Sequence, residues 1–336
     1  MTVTALARLA AFGPPLPPPR GPLSAQMQAL LHGRRLLRRR GAAVGDADPF
    51  GDDLHLALYT AYELHYRGFA GVEDDREWDP DVLVLRTALE RHLLAALKAE
   101  VGPPDEDVDA AIADLLAVDA DDGVSAFLAR HGTREQVREL LVHRSMYHLK
   151  EADPQAFVLP RLSGAAKAGV AAVEFDEYGG GRVSRMHAEL FCSLMTAFDL
   201  DCSYGAYVEV VPAPMLAVVN FMSLCGLHRA RRGALIGQLA AVEITSPPGA
   251  MKMVAAVRRA GGSELAEEFY AEHVVADSVH EQVMRADVID TLLEAEPHLA
   301  ADVVFGIRAA GLLDTRLDEH LLSAWSAHRS SLLGPI

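Results

Sequence analysis

The sequence predicts an all-α protein. Three observations carry that expectation. Apolar residues recur three and four apart in nearly every patterned stretch. Half of the chain is hydrophobic, with Ala and Leu prominent and only 6% aromatic residues. Period-two alternation surfaces only weakly, at "YVEVV".

In chain order, residues 1–22 ("MTVTALARLAAFGPPLPPPRGP") read as a flexible Pro-rich tail, too short and too interrupted for a signal h-region. Residues 23–104 read as an N-terminal helical arm built from "LSAQMQALLHGRRLLRRRG", "DDLHLALYTAYELHYRGF" and "PDVLVLRTALERHLLAALKAEV". The Pro- and acid-rich "VGPPDEDVDA" marks a seam. Residues 105–330 form the main domain, with helices expected near 107–117, 123–130, 133–150, 154–177, 184–199, 213–226, 229–245, 248–260, 263–294 and 298–328. No internal repeat is visible. "VVPAPMLAVVNFMSLCGL" is nearly apolar, but Pro212, Pro214 and Asn220 make it a buried core helix and not a membrane span.

The 336 residues carry 31 Lys plus Arg against 47 Asp plus Glu, a formal net charge of -16. That balance argues against a nucleic-acid partner. The one basic run, "HGRRLLRRRG" at 32–41, reads as a solvated helix face. Cys192, Cys202 and Cys225 cannot form a complete disulfide set and show no CxxC spacing, so a soluble, cytoplasmic protein in a reducing compartment is the simplest reading.

Chemistry concentrates in "FYAEHVVADSVHEQVMRADVID", residues 269–290. At about 100° per residue, His273, Asp277 and His280 fall within roughly 60° of one another on an unbroken helix. Phe269, Ala276 and Met284 lie on the same side, so the three polar groups face inward, where they are costly unless satisfied. Glu243 is the only acid between Glu209 and Glu264 and follows a run of small and apolar residues. "VAAVEFDEYGGGRVSRMHAELF" offers Glu174, Asp176, Glu177 and His187. The glycines at 179–181 break the helix, so Glu177 closes one helix and His187 opens the next. Each residue also has a plain reading: a metal-free hydrogen-bonded triad, a capping Glu243, a surface Glu177, a core His187. Imidazole and carboxylate without thiolate suit iron or manganese. No Glu-x-x-His occurs, which sets aside the usual ferritin-like dimetal bundle. Elsewhere, Glu63 and His65 read as arm packing, and His143 and His148 do not share a face. Met195, Phe198, Met215, Phe221 and Met222 can wall a cavity or fill a core. Arg182, Arg185, Arg285 and Arg308 can clamp a carboxylate or form surface salt bridges.

The order Glu177, His187, Glu243, His273-x3-Asp277-x2-His280 resembles the ligand pattern of the heme-oxygenase-like diiron oxidases and oxygenases, the iron-containing redox enzymes. The gaps of 10, 56, 30, 4 and 3 residues follow that pattern without insertion. Glu151, in "YHLKEADPQAF", falls where N-oxygenating members carry an additional carboxylate, and the likeness is greatest to the N-oxygenase domain of the streptozotocin-pathway enzyme. The resemblance covers roughly 133–295. It implies a heme-oxygenase-like helical bundle holding two Fe ions in place of haem, with Glu151, Glu177, His187, Glu243, His273, Asp277 and His280 as ligands and Glu243 as the expected bridge. It further implies O2 as co-substrate, a small-molecule amine substrate such as an amino acid or amino-heterocycle, an external electron donor, and pairing into a homodimer through the N-terminal helices. The expected activity is N-oxygenation in natural-product biosynthesis. Two alternatives stand beside it: oxidative C–C cleavage or desaturation of an amino or fatty acid by the same centre, and a non-catalytic haem- or iron-binding or helical interaction protein.

Overall fold

The computed structural model describes residues 13–34, 44–117 and 123–336, with the side chains of residues 277 and 278 excepted. Among these residues every regular element is helical and there is no strand. The longer helices are α1 (Pro22–Leu31), α2 (Asp52–Glu63), α3 (Pro80–Val101), α4 (Val108–Ala117), α5 (Val124–His131), α6 (Arg134–His148), α7 (Gly164–Glu177), α8 (His187–Ala197), α9 (Ala213–Leu227), α10 (Arg232–Arg259), α11 (Glu264–Gln282) and α12 (Ala300–Ser326). No described helix is long and apolar enough to cross a membrane.

The chain divides into two compact units. One comprises residues 1–100, 203–220 and 332–336; the other comprises 101–202 and 221–331. The N-terminal helices therefore share their unit with two later stretches. In that unit Asp53, in the first turn of α2, accepts the backbone N–H groups of Leu23 and Ser24 and the Ser24 hydroxyl, at 2.9, 2.8 and 2.6 Å. It thus satisfies orphan donors at the start of α1. The expected first helix stops at Leu31, followed by Gly33 at φ 75°; the rest of the basic run, 35–41, and tail residues 1–12 lie outside the described residues. "YVEVV" is a series of turns, not a strand.

The second unit is organised by α10, which packs against α11 and α12. Where α10 crosses α12, two glycines let the backbones meet. A Cβ on Gly237 would fall 2.0 Å from the Val303 carbonyl oxygen, and one on Gly306 would fall 2.1 Å from that of Ala234. Helix α6 starts at a capping box, in which Thr133 Oγ1 accepts Gln136 N–H at 3.2 Å and Gln136 Oε1 accepts Thr133 N–H at 2.9 Å.

Four expectations need correction. The helices expected at 229–245 and 248–260 are one helix, which runs through Pro247 and Pro248. The helix expected over 154–177 is three pieces, Asp153–Ala156, Leu159–Arg161 and α7. The helix expected over 263–294 becomes π-helical at Val283–Asp290. Cys192, in α8, and Cys202, beyond its end, form a disulfide, and only Cys225 is free.

Candidate metal centre

Four helices and a turn bring the predicted ligands together. The Ala-rich α7 ends at Glu177 because all three following glycines adopt positive φ (66°, 61° and 77°). At Gly179 a Cβ would meet the Arg185 carbonyl carbon at 2.5 Å. This tight reversal starts α8 at His187, whose Nδ1 comes back to 2.7 Å from Glu177 Oε2. Glu151 lies just past the end of α6, Glu243 in α10, and His273 and His280 in α11.

The donor atoms form two groups, each within 4.8 Å: Glu151, Glu177, His187 and His273, and Glu177, Glu243 and His280. All six residues are buried. Glu177 belongs to both groups, with Oε2 beside His187 and Oε1 3.9 Å from His280 Nδ1. Glu243 Oε2 is 3.0 Å from His280 Nδ1 and falls in the second group alone. The shared carboxylate is therefore Glu177, where Glu243 was expected. Asp277 lies on α11 between the two histidines, but its side chain is outside the described residues.

The histidines are oriented from behind. His273 Nδ1 donates to the Phe269 carbonyl at 2.7 Å, which leaves Nε2 facing Glu151 at 3.8 Å. With Nδ1 of His280 on the carboxylates, its Nε2–H donates to Asp176 Oδ2 at 3.2 Å. Carbonyl and carboxylate partners of this kind fix the tautomer and raise the basicity of metal-binding histidines.

The residues fit a cation. Glu151 Oε2, Glu177 Oε2 and His187 Nδ1 are buried without a hydrogen bond, the last two although only 2.7 Å apart. Each such atom costs about 1–3 kcal/mol if nothing else satisfies it. Four glutamates, at 151, 174, 177 and 243, are buried in this one unit. Burial, reinforced by Glu177, Asp153 and Glu243, pushes the Glu174 carboxyl up to about 9. Glu151 goes the other way: burial works to raise it, but His148 and His273 hold it well below the usual carboxylate range. Burial works to lower His187, but its contact with Glu177 raises it. Carboxylate and imidazole donors divided into two groups with a common member can hold two hard or borderline divalent ions.

Three neighbours were not in the predicted set. His148 Nδ1 bonds Glu151 Oε1 at 2.9 Å, a pairing readable from the i,i+3 spacing. Glu174 lies one turn before Glu177, with neither carboxylate oxygen hydrogen-bonded. Asp176 stands behind His280, which no local pattern announces. Of the other candidates, Arg185, Arg285 and Arg308 form salt bridges with Glu272, Glu281 and Asp105. Met195, Phe198, Met215, Phe221 and Met222 are all buried core. A cavity of 290 Å³ instead reaches His148 and His273 from residues of α5, α6, α10, α11 and α12.

A sequence model for one protein family, described as iron-containing redox enzyme, matches residues 138–315, more than half of the chain and a range within which every predicted ligand lies. No curated protein matches the sequence.

Proposed function

This chain belongs to the family of iron-containing redox enzymes, and we propose that within it the protein is a non-haem diiron N-oxygenase, which uses O2 to convert an amine to an N-hydroxy, nitroso or nitro product. The observation that carries the reading is the convergence of six buried residues into two donor groups joined by Glu177. Glu151, Glu177, His187 and His273 would hold one iron, and Glu177, Glu243 and His280 the second. Asp277, on α11 between the two histidines, is the further ligand of this reading.

Held there, two irons would supply the reductive activation of O2, chemistry that side chains lack. The first oxidation balances as R–NH2 + O2 + 2e⁻ + 2H⁺ → R–NHOH + H2O, so an external electron donor is part of the reading. The chain's own residues hold and position the reactants. His148 keeps Glu151 in place, Asp176 holds the Nε2 proton of His280, and Phe269 fixes the ring of His273. The cavity gives the amine a partly enclosed route to the His148–His273 end. Glu151 favours nitrogen over carbon as the target, because it stands at the position that N-oxygenating members fill with a carboxylate.

Anaerobic loading with Fe(II), followed by O2 and a panel of amines, tests the reading. The expected result is a pair of irons per chain, O2 consumption, and products whose nitrogen has gained oxygen. A protein that takes up no iron and consumes no O2 with any amine overturns it. Products that have lost a C–C or C–H bond would establish the cleavage or desaturation alternative, and a Soret band on haem titration would establish haem binding. We also propose a homodimer formed through the N-terminal helices. Trp78 and Val84, each 64% exposed there, support it, and sedimentation of the full chain should give twice the chain mass.

A further inference from the structure

The cavity beside the donor cluster has a charged end that holding metal does not require. Helix α6 lines it with Leu140, Arg144 and His148, spaced i, i+4 and i+8 along one stripe. His148 bonds Glu151, and Arg144 stands one helical turn, about 6 Å, from His148. Helix α12 adds Asp314 and Asp318, again one turn apart. Arg144 pairs with Asp314 at 3.3 Å. Asp318 Oδ2 accepts the backbone N–H of Val124 at 3.1 Å. Among the described residues no other lysine, arginine or acid lines the cavity, so these three charges leave an excess of one negative. This is the more open end: the Arg144 and Asp314 side chains are 27% and 42% exposed, against 16% and 9% for His148 and His273. The rest of the wall is uncharged and mixed, with Val242, Ala250, Met253 and Phe269 beside Thr245, Ser246 and Tyr270.

Resting on the N-oxygenase reading, we propose that this cavity takes a substrate with a second, protonated nitrogen, which Asp314 and Asp318 hold at the outer end while the nitrogen to be oxidised faces His148 and His273. A protonated nitrogen has no lone pair to accept oxygen. An anionic pole at one end therefore sorts two nitrogens by basicity: the more basic one is bound as a cation, and the less basic one reaches the cluster unprotonated. Burial and the neighbouring Asp314 raise the Asp318 carboxyl even though the Val124 N–H and Arg144 oppose them, as expected of an acid short of a counter-charge. Arg144 is already engaged by Asp314, which argues against its reading a substrate carboxylate. At 290 Å³ the cavity sits at the lower edge of the roughly 300–1,000 Å³ usual for small-molecule sites, so the substrate is compact, a single ring or a short chain.

Calorimetric titration of the full chain under argon, with and without Fe(II), tests this with three arylamines of one shape: 4-aminobenzylamine, 4-aminobenzyl alcohol and 4-aminobenzoate. The cationic compound should bind about tenfold or more tightly than the neutral one, a difference of about 1.4 kcal/mol. Asp318→Asn and Asp314→Asn should each abolish that preference and leave the affinity for the alcohol unchanged, with wild-type circular dichroism. Equal affinity for the cationic and neutral compounds, or tightest binding of the benzoate, overturns the proposal. The readout needs no turnover. A protein that takes up neither iron nor O2 but keeps the cation preference sinks the N-oxygenase reading alone. An iron-loaded, O2-consuming protein without the preference sinks this inference alone.

Discussion

Both compact units bury glutamates almost completely, yet they treat them differently. In the unit holding the N-terminal helices, Glu63 accepts the Tyr204 hydroxyl, while Glu90 accepts the Tyr62 hydroxyl at 3.2 Å and pairs with Arg86 at 3.3 Å. Each of these acids faces donors. In the other unit Glu151, Glu174 and Glu177 each have at least one oxygen without a hydrogen bond, and Glu177 and His187 touch without forming one. There, carboxylates and imidazoles crowd together and leave several buried oxygens unsatisfied. Residue type and burial are the same in both places; what separates the two settings is whether the neighbouring atoms satisfy every carboxylate oxygen. A surplus of lone pairs in a dry interior calls for a cation.

The largest effect that should separate the two regions is on iron. Glu177→Ala removes the member common to both groups and should abolish iron binding at both, read as metal per chain after desalting; retention of one iron would mean that Glu177 serves a single group. Glu63→Ala should leave iron content unchanged.

Next comes the pH dependence of the metal-free protein, which should have opposite signs in the two units. Glu174 is raised from 4.5 to about 9. Its neutral form therefore stabilises the fold below pH 4.5, and that contribution is lost as pH rises toward 9. His55, in the other unit, is lowered by burial from 6.5 to about 4. Its contribution is present above pH 6.5 and is lost as pH falls toward 4. Thermal melts from pH 4 to 9 should show both flanks. Glu174→Gln should flatten only the alkaline flank, by an amount on the order of a few kcal/mol at pH 9, and His55→Gln only the acid one.

Smaller is the cost of Glu63→Ala itself. It strands the Tyr204 hydroxyl and should lower stability by about 1–3 kcal/mol in urea melts, whether or not iron is present. Smallest is Asp176→Asn, which weakens the support behind His280. It should reduce iron affinity about tenfold, the lower end expected of a histidine's hydrogen-bond partner, since Asp176 is half exposed. A chelator competition would measure it, and an unchanged affinity would show that His280 is held by the carboxylates alone.

The helical class and most helix positions were legible because apolar spacing is a local signal. So was the break between Glu177 and His187, which three consecutive glycines announce. The continuous α10 was not. Pro247 and Pro248 remove two backbone donors at a cost of about 3 kcal/mol each in a helix interior, and packing against α5, α11 and α12 offsets that cost. The Cys192–Cys202 bond was hidden for a similar reason, since a spacing of ten says nothing about where the end of α8 turns. Within the site, six of the positions named from order and spacing come together in two donor groups, whereas which carboxylate is common to both depends on where α7 and α10 meet α11. His148 was set aside by comparison with His143, five residues away, when its real partner was Glu151, three residues on. Asp314 and Asp318 drew no notice because a pair of acids on a long helix is commonplace until a cavity opens beside it.

The glycine reversal after α7 carries a lesson about inheritance. Gly179 offers no proton, charge or lone pair, yet any side chain there would collide with the backbone at Arg185 and displace the histidine two positions later. A relative could thus keep every acid and imidazole and still lose its chemistry through one added methyl group. In sorting active from inactive descendants of this scaffold, the residue with the least functionality deserves as close a look as the ligands themselves.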